Sequence, residues 1–222
     1  MCGSLDQNEK RAIAGHAIYS RHILAIYDLW VLGVSNRFIW KCPTELFLRL
    51  YNAHLTANHL EIGVGTGYFL DYWVFPDRPR LVLLDLNENS LNVTAKRISR
   101  YHPKVYQRNI LDPLNLQEKP FSSIGMNYLL HCLPGTLSEK AIVFDRLKPY
   151  LRTGGTVFGS TLLQGELARS PTAQWLMNVY NRKGIFCNDH DDFNTLKSEL
   201  AKRFSESHVT VHGCAALFWG KL

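Results

Sequence analysis

The chain has 222 residues, 46% hydrophobic and 20% charged, which is enough for one α/β domain with a sizeable core and too apolar for a disordered chain. Lysine and arginine exceed aspartate and glutamate by 25 − 19 = 6, but the positive residues are dispersed, the densest groups being Lys96-Arg97 with Arg100 and Lys202-Arg203, which argues against nucleic acid as a partner and for a solvated basic surface. No apolar run reaches membrane-spanning length, residues 1–16 lack the hydrophobic stretch of a signal peptide, and Cys2, Cys42, Cys132, Cys187 and Cys214 are scattered with no C-x-x-C pair, so a cytoplasmic protein with free thiols is expected, without membrane contact, structural zinc or disulfides.

In chain order, residues 11–32 carry Ile13, Ala17, Ile23, Leu24, Tyr27 and Trp30 at helical spacing, with Tyr19 and Ile26 widening the stripe. They predict one or two amphipathic helices ahead of the sheet. Gly33-Val34-Ser35-Asn36 is expected to break them, and residues 37–41 form an aromatic-basic connector. Pro43 suits a first helical position and opens a helix over 44–54. A short strand ending at Glu61-Ile62 follows, then Gly63, Gly65 and Gly67, an apolar helix start, and a buried strand over 80–84 that ends in Asp85. Asn87-Glu88-Asn89-Ser90 caps a helix over 90–102. A third strand is expected at 104–108 and a fourth at 121–128. A loop at 129–135 leads to a helix over 138–151, and Thr153-Gly154-Gly155 turns into a fifth strand at 156–160. Residues 172–181 and 193–204 read as helices, and 207–211 with 215–219 as a closing strand pair. Successive βα units ending in a tight strand pair predict a three-layer, mostly parallel sheet with one antiparallel strand. Asn188-Asp189-His190-Asp191-Asp192 has no diagnostic metal-ligand spacing and reads as the polar lead-in to a helix.

The stretch from Asn58 to Asp85 organises the chain. Strand, glycine turn, helix and a second strand ending in an acid make the first unit of a nucleotide-binding sheet. Glycines let the turn be tight and let a ligand approach the backbone. The carboxylate can only accept, which suits ribose hydroxyls. The spacing is G-x-G-x-G, preceded by an acid at Glu61, and a negative charge beside the loop favours a ligand carrying ammonium and sulfonium over one carrying phosphates.

This E-x-G-x-G-x-G pattern, with an acid closing the next strand, resembles that of the class I S-adenosylmethionine-dependent methyltransferases. The resemblance spans roughly residues 43–222. It implies a Rossmann-like seven-stranded sheet in the order 3-2-1-4-5-7-6, with residues 1–42 as an N-terminal helical lid. It also implies S-adenosylmethionine as cofactor and S-adenosylhomocysteine as product. Carried over position by position, Glu61, Gly63, Gly65 and Gly67 would hold the methionine part. Asp85 would accept the ribose hydroxyls and Leu86 would lie against adenine. Asn109 and Ile110 would grip the adenine, with Asn where the family often has an acid, and Asn127 would meet the amino-acid end. Phe121-Ser122-Ser123 lacks the acid that commonly follows that Phe, and Asn127-Tyr128-Leu129-Leu130 departs from N/D-P-P-Y/F. Both departures point away from metal-assisted catechol methylation and from amino methylation of nucleic-acid bases.

His131, in LLHCLPG after the fourth strand, is the candidate general base, because an imidazole titrates near neutrality and ligands bind at these strand ends. The alternative is a histidine that lines the pocket or bonds backbone. Tyr19, Tyr27 and Trp40, with Trp30, could wall a flat acceptor, although aromatics at helical spacing also build cores. The expected activity is metal-free methylation of oxygen, nitrogen or carbon on a small organic acceptor. The rivals are an RNA or protein methyltransferase and a cofactor-binding protein that transfers no methyl.

Overall fold

The two central strands are apolar almost throughout. In β1 (Asn58–Ile62) every residue after Asn58 is buried, and in β2 (Arg80–Asp85) the run Leu81–Leu84 is buried, as required of parallel strands covered on both faces. The computed structural model describes residues 28–75, 78–165 and 169–222. The helices expected before residue 28 lie outside these residues. With β3 (Lys104–Gln107), β4 (Phe121–Asn127), β5 (Leu151–Leu162), β6 (Glu206–His212) and β7 (Ala215–Lys221), β1 and β2 form a seven-stranded sheet in the order β3-β2-β1-β4-β5-β7-β6. Strand β7 runs antiparallel to both β5 and β6, and the remaining pairings are parallel. The expected topology holds.

The helices are α1 (Asp28–Ile39), α2 (Thr44–His54), α3 (Tyr68–Tyr72), α4 (Glu88–Arg97), α5 (Leu137–Lys140), α6 (Ile142–Leu147), α7 (Pro171–Arg182) and α8 (Phe193–Ala201). Asn87 caps α4 by accepting from the amides of Asn89 and Ser90, as its sequence signal requires. Fifth-strand pairing begins earlier than expected. Phe121 pairs with Leu151 but Ser123 with Thr156, so residues around Gly154, at φ +72°, form a bulge within β5 instead of a turn before it. The helix expected over 138–151 is accordingly divided into α5, α6 and a 3₁₀ turn at Lys148–Tyr150.

Helix α1 departs from expectation because it continues through Gly33–Asn36 as a wide, π-type helix. At its end, Trp40 N–H bonds Ser35 O at 2.8 Å. Tertiary bonds override the local break. The Asn36 amide donates to Thr44 Oγ1 at 3.1 Å, and its oxygen accepts from Tyr128 Oη at 2.8 Å.

Each sheet face carries its own core. One is built on Leu60, Ile62, Val82, Leu84, Ile124 and Phe144. The other is built on Phe47, Tyr51, Leu81, Leu83, Phe158 and Leu217, and Leu32, Trp40 and Cys42 belong to it. The amide of Cys214 bonds Trp40 O at 2.8 Å, and a Cβ on Gly213 would sit 2.1 Å from that same oxygen. Residues 40–42 are therefore wedged against the β6–β7 turn.

Candidate active site

The glycine turn after β1 is left-handed at each glycine, with φ of +68° at Gly63, +55° at Gly65 and +73° at Gly67, a conformation that side chains with a Cβ resist. Space adds to the constraint. A Cβ on Gly67 would lie 2.7 Å from Thr94 Cγ2, whereas one on Gly65 would meet nothing within 4 Å, because that residue opens onto a cleft. The turn is anchored to β2 by Gly63 N–H bonding Leu84 O at 2.9 Å. Asp85 completes the anchor. Its Oδ2 accepts from Val64 N–H at 2.9 Å and its Oδ1 from Asn87 N–H at 2.8 Å. Burial pushes the Asp85 carboxyl up to about 6, against the opposing pull of backbone N–H groups that favour the anion.

The cleft runs along the carboxyl ends of β1 to β4, the ligand-binding edge of an open α/β sheet. Glu61, Gly63, Gly65, Gly67, Asp85, Leu86, Asn109, Ile110 and Asn127 all line it. Asn127 is set by the Ser160 hydroxyl, which donates to its Oδ1. Asn109 Oδ1 accepts from Leu111 N–H at 3.1 Å. Arg108 is the only lysine or arginine among the described residues lining the cleft, and two carboxylates, Glu61 and Asp85, share it. That charge pattern, with Gly65 open to the cleft, fits a ligand bearing positive charge and a ribose diol and does not form a phosphate cradle.

Several lining residues were not anticipated: Leu32, Tyr51, Thr66, Tyr68 and Tyr128, whereas Leu129, Cys132 and Leu133 belong to the LLHCLPG loop expected at the strand ends. Tyr51 sits on α2 and reads from the sequence as ordinary helix core, while Tyr128 could have been inferred only from its place just past β4. Helix α1 is tied over the glycine turn. Asp28 Oδ1 accepts from Thr66 Oγ1 at 2.5 Å, and Asp28 Oδ2 receives Arg97 at 2.6 Å.

The structure places His131 away from the cleft. The 3₁₀ turn Leu130–Cys132 carries Leu130 and His131 inward, and the imidazole stands edge-on to Phe186 with ring centroids 4.5 Å apart. Its Nδ1 accepts from Leu162 N–H at 3.3 Å. Burial, with the Lys140 charge nearby, lowers its pKa to about 3. His131 is thus buried and not among the described residues that line the cleft, which speaks against the general-base expectation. Its neighbour Cys132 does line the cleft, but burial pushes that thiol up to about 12.

Trp40 is also not on the cleft. It is buried, with its ring centroid 6.3 Å from that of Phe186, and it serves the core rather than an acceptor wall. Tyr19, Tyr27 and the Trp30 side chain lie outside the described residues. In the Asn188–Asp192 segment, Asp191 pairs with Lys140 at 2.7 Å and Asp192 caps α8 by accepting from Thr195 N–H at 2.9 Å. Among the described residues, no group of three or more His, Cys, Asp or Glu side chains could hold a metal ion. No described helix is long and apolar enough to cross a membrane.

The family model described as "Methyltransferase domain" matches residues 60–157, from β1 into β5. Demethylluteothin O-methyltransferase of Streptomyces thioluteus is 40% identical over 95% of this chain and 92% of its own length. The chain belongs to the class I S-adenosylmethionine-dependent methyltransferases. A physcion biosynthesis cluster O-methyltransferase of Aspergillus chevalieri is 34% identical to this methyltransferase, over 92% of the chain and 93% of the relative. The methyltransferase also shares its fold with the N-methyltransferase NodS from Bradyrhizobium japonicum WM9 in complex with S-adenosyl-l-homocysteine. The TM-score is 0.63 at 16% identity, over 94% of this chain and 98% of that one. S-adenosylmethionine is the cofactor that membership in this family assigns to the enzyme.

Proposed function

We propose that this enzyme methylates an oxygen of a small, largely apolar organic acceptor. The observation that carries the reading is the single cleft in which Glu61, the Gly63–Gly67 turn and Asp85 meet the apolar side chains of Leu32, Tyr68, Leu129 and Leu133. Relatives named as O-methyltransferases, aligned along more than nine-tenths of this chain, support oxygen as the atom methylated. S-adenosylmethionine, when bound, supplies a methyl group activated on a sulfonium.

The protein's own contributions are binding, alignment and exclusion of water. Asp85 would accept from the ribose hydroxyls. Leu86 and Ile110 would offer apolar surface to the adenine, with Asn109 beside them. Glu61 and Asn127 would hold the amino-acid end. Asp28 and Arg97 hold α1 over Thr66, and Leu32 of the same helix lines the cleft. The Cys132 thiol, kept protonated by burial, neither attacks nor takes a proton.

The test is turnover on a panel of small phenols, enols and amines, read by mass spectrometry for the methylated product and for S-adenosylhomocysteine. Hydroxylated members should gain one methyl. Transfer confined to RNA, protein or amines would contradict the reading.

A further inference from the structure

Behind the cleft, buried side chains connect β4 to Glu61. His59 and Glu61 alternate on β1 and so share one face, and β1 pairs with β4 so that His59 lies beside Ser123 and Glu61 beside Gly125. His59 Nδ1 lies 2.8 Å from Ser123 Oγ, and His59 Nε2 lies 2.7 Å from Glu61 Oε2. From α2, Tyr51 donates its phenolic hydrogen to Glu61 Oε1 at 2.5 Å. Exposure is 1% at Tyr51, 0% at His59, 4% at Glu61 and 0% at Ser123.

The neighbours make room for this chain and clamp it. A Cβ on Gly125 would stand 2.4 Å from Glu61 Oε2 and 3.1 Å from His59 Cε1, so the position opposite the carboxylate must carry no side chain. Phe69 stacks on Tyr51 at 4.8 Å, and Phe158 meets the Tyr51 ring edge-on at 5.0 Å. Hydrogen positions follow from the acceptors. An ionised Glu61 only accepts, so Nε2 carries the hydrogen of its bond. In the neutral ring Nδ1 accepts from the Ser123 hydroxyl, whose oxygen accepts from Thr56 N–H at 3.1 Å.

Apolar residues would fill this space at lower cost than a buried carboxylate with its hydrogen-bonding partners. What the polar chain adds is direction. Each Glu61 oxygen receives one fixed donor from the core side, and no lysine or arginine ion-pairs with the carboxylate among the described residues. Its charge is left for a ligand to balance at the cleft, where Glu61 is a lining residue. We propose that His59 and Tyr51 are positioning residues that hold the Glu61 carboxylate toward the ammonium end of the cofactor, with Ser123 fixing the imidazole. This inference rests on the cofactor reading proposed above.

The discriminating ligand is methylthioadenosine, which keeps the adenosine and thioether of S-adenosylhomocysteine but lacks the amino-acid end. Calorimetric titrations of both ligands into wild type, His59→Leu, His59→Gln and Tyr51→Phe test the inference. His59→Leu and Tyr51→Phe should weaken S-adenosylhomocysteine by about tenfold and change methylthioadenosine by less than about twofold, because a loosened carboxylate affects only the ligand that reaches it. His59→Gln, which keeps an N–H for Glu61, should recover most of the loss. If His59→Leu fails to fold, Tyr51→Phe, which deletes one oxygen, decides the matter. Equal losses for both ligands would mean a purely structural role and overturn the inference, as would undiminished S-adenosylhomocysteine binding in the folded variants. Wild-type protein that binds neither ligand would overturn the cofactor reading itself.

Discussion

The Thr66 hydroxyl, inside the glycine turn, donates to Asp28 Oδ1 on helix α1 at 2.5 Å. Arg97 reinforces the contact by bonding Asp28 Oδ2 at 2.6 Å and Thr66 O at 3.3 Å. The ion pair is 28% and 30% exposed at its two side chains, so solvent screening limits its worth to roughly 0.5–1 kcal/mol. Asp28→Ala should therefore hardly alter the melting temperature but raise the dissociation constant of S-adenosylhomocysteine severalfold, by freeing α1 from the turn. Paired thermal melts and titrations check this, and a large loss of stability would make α1 core at that point instead of a latch.

Truncation tests where the fold begins. Residues 28–222 retain all the described packing, whereas residues 41–222 lack buried Leu32 and Trp40 and the Asn36 bonds to Thr44 and Tyr128. Losing a buried Trp alone costs about 3–5 kcal/mol, a large share of a typical stability of about 5–15 kcal/mol. The shorter chain should show no cooperative thermal unfolding by circular dichroism, while the longer one should.

His131 should matter to stability and not to proton transfer. His131→Leu leaves Leu162 N–H without the acceptor that it has at 3.3 Å, costing about 1–3 kcal/mol, and the pH dependence of kcat should stay as in wild type. Because its folded pKa is depressed to about 3 from 6.5, its contribution is complete above about pH 6.5 and is lost as pH falls toward 3. Urea unfolding at about pH 7 and pH 5 should thus show a smaller acid loss in the variant than in wild type. A missing acidic limb in the variant's rate profile would restore His131 as a base.

That residue also shows where sequence stops informing. The position of LLHCLPG past a buried strand is legible from hydropathy, but which side chain of a 3₁₀ turn faces the cleft depends on packing against Phe186, 55 residues away in the chain. Gly63, Gly65, Gly67 and Asp85 were readable because their role is local: a tight turn and a strand end have spacing signatures. The Ser123–His59–Glu61–Tyr51 chain was not, since it joins β4, β1 and α2, and each member alone looks like ordinary core. Gly33–Asn36 reads as a helix break, and only the Asn36 bonds to Thr44 and Tyr128 explain why α1 continues.

Lys140 and Asp191 form a salt bridge at 2.7 Å with side chains 0% and 1% exposed, and Lys140 Nζ also bonds Cys187 O at 2.5 Å. Together they pin the segment before α8 to α5. Lys140→Met should cost about 3–5 kcal/mol by stranding a buried carboxylate, and adding Asp191→Leu should recover part of that loss. Denaturant unfolding of both variants reads the coupling, and additive losses would argue that the two groups act independently.

Asp85 carries the central claim. Its carboxylate braces the glycine turn through Val64 N–H and Asn87 N–H, and the second role we propose for it is to accept from the cofactor's ribose. With its carboxyl pushed up to about 6, protonation should weaken that binding as pH falls through this value. The most direct measurement is calorimetric titration of S-adenosylhomocysteine into wild type and Asp85→Ala near neutral pH, with circular dichroism to confirm that the variant is folded. A loss of about 1.5–3 kcal/mol in binding free energy, the scale of charged hydrogen bonds, is expected in the variant. Equal affinities in two folded proteins would contradict the assignment of this cleft to the cofactor.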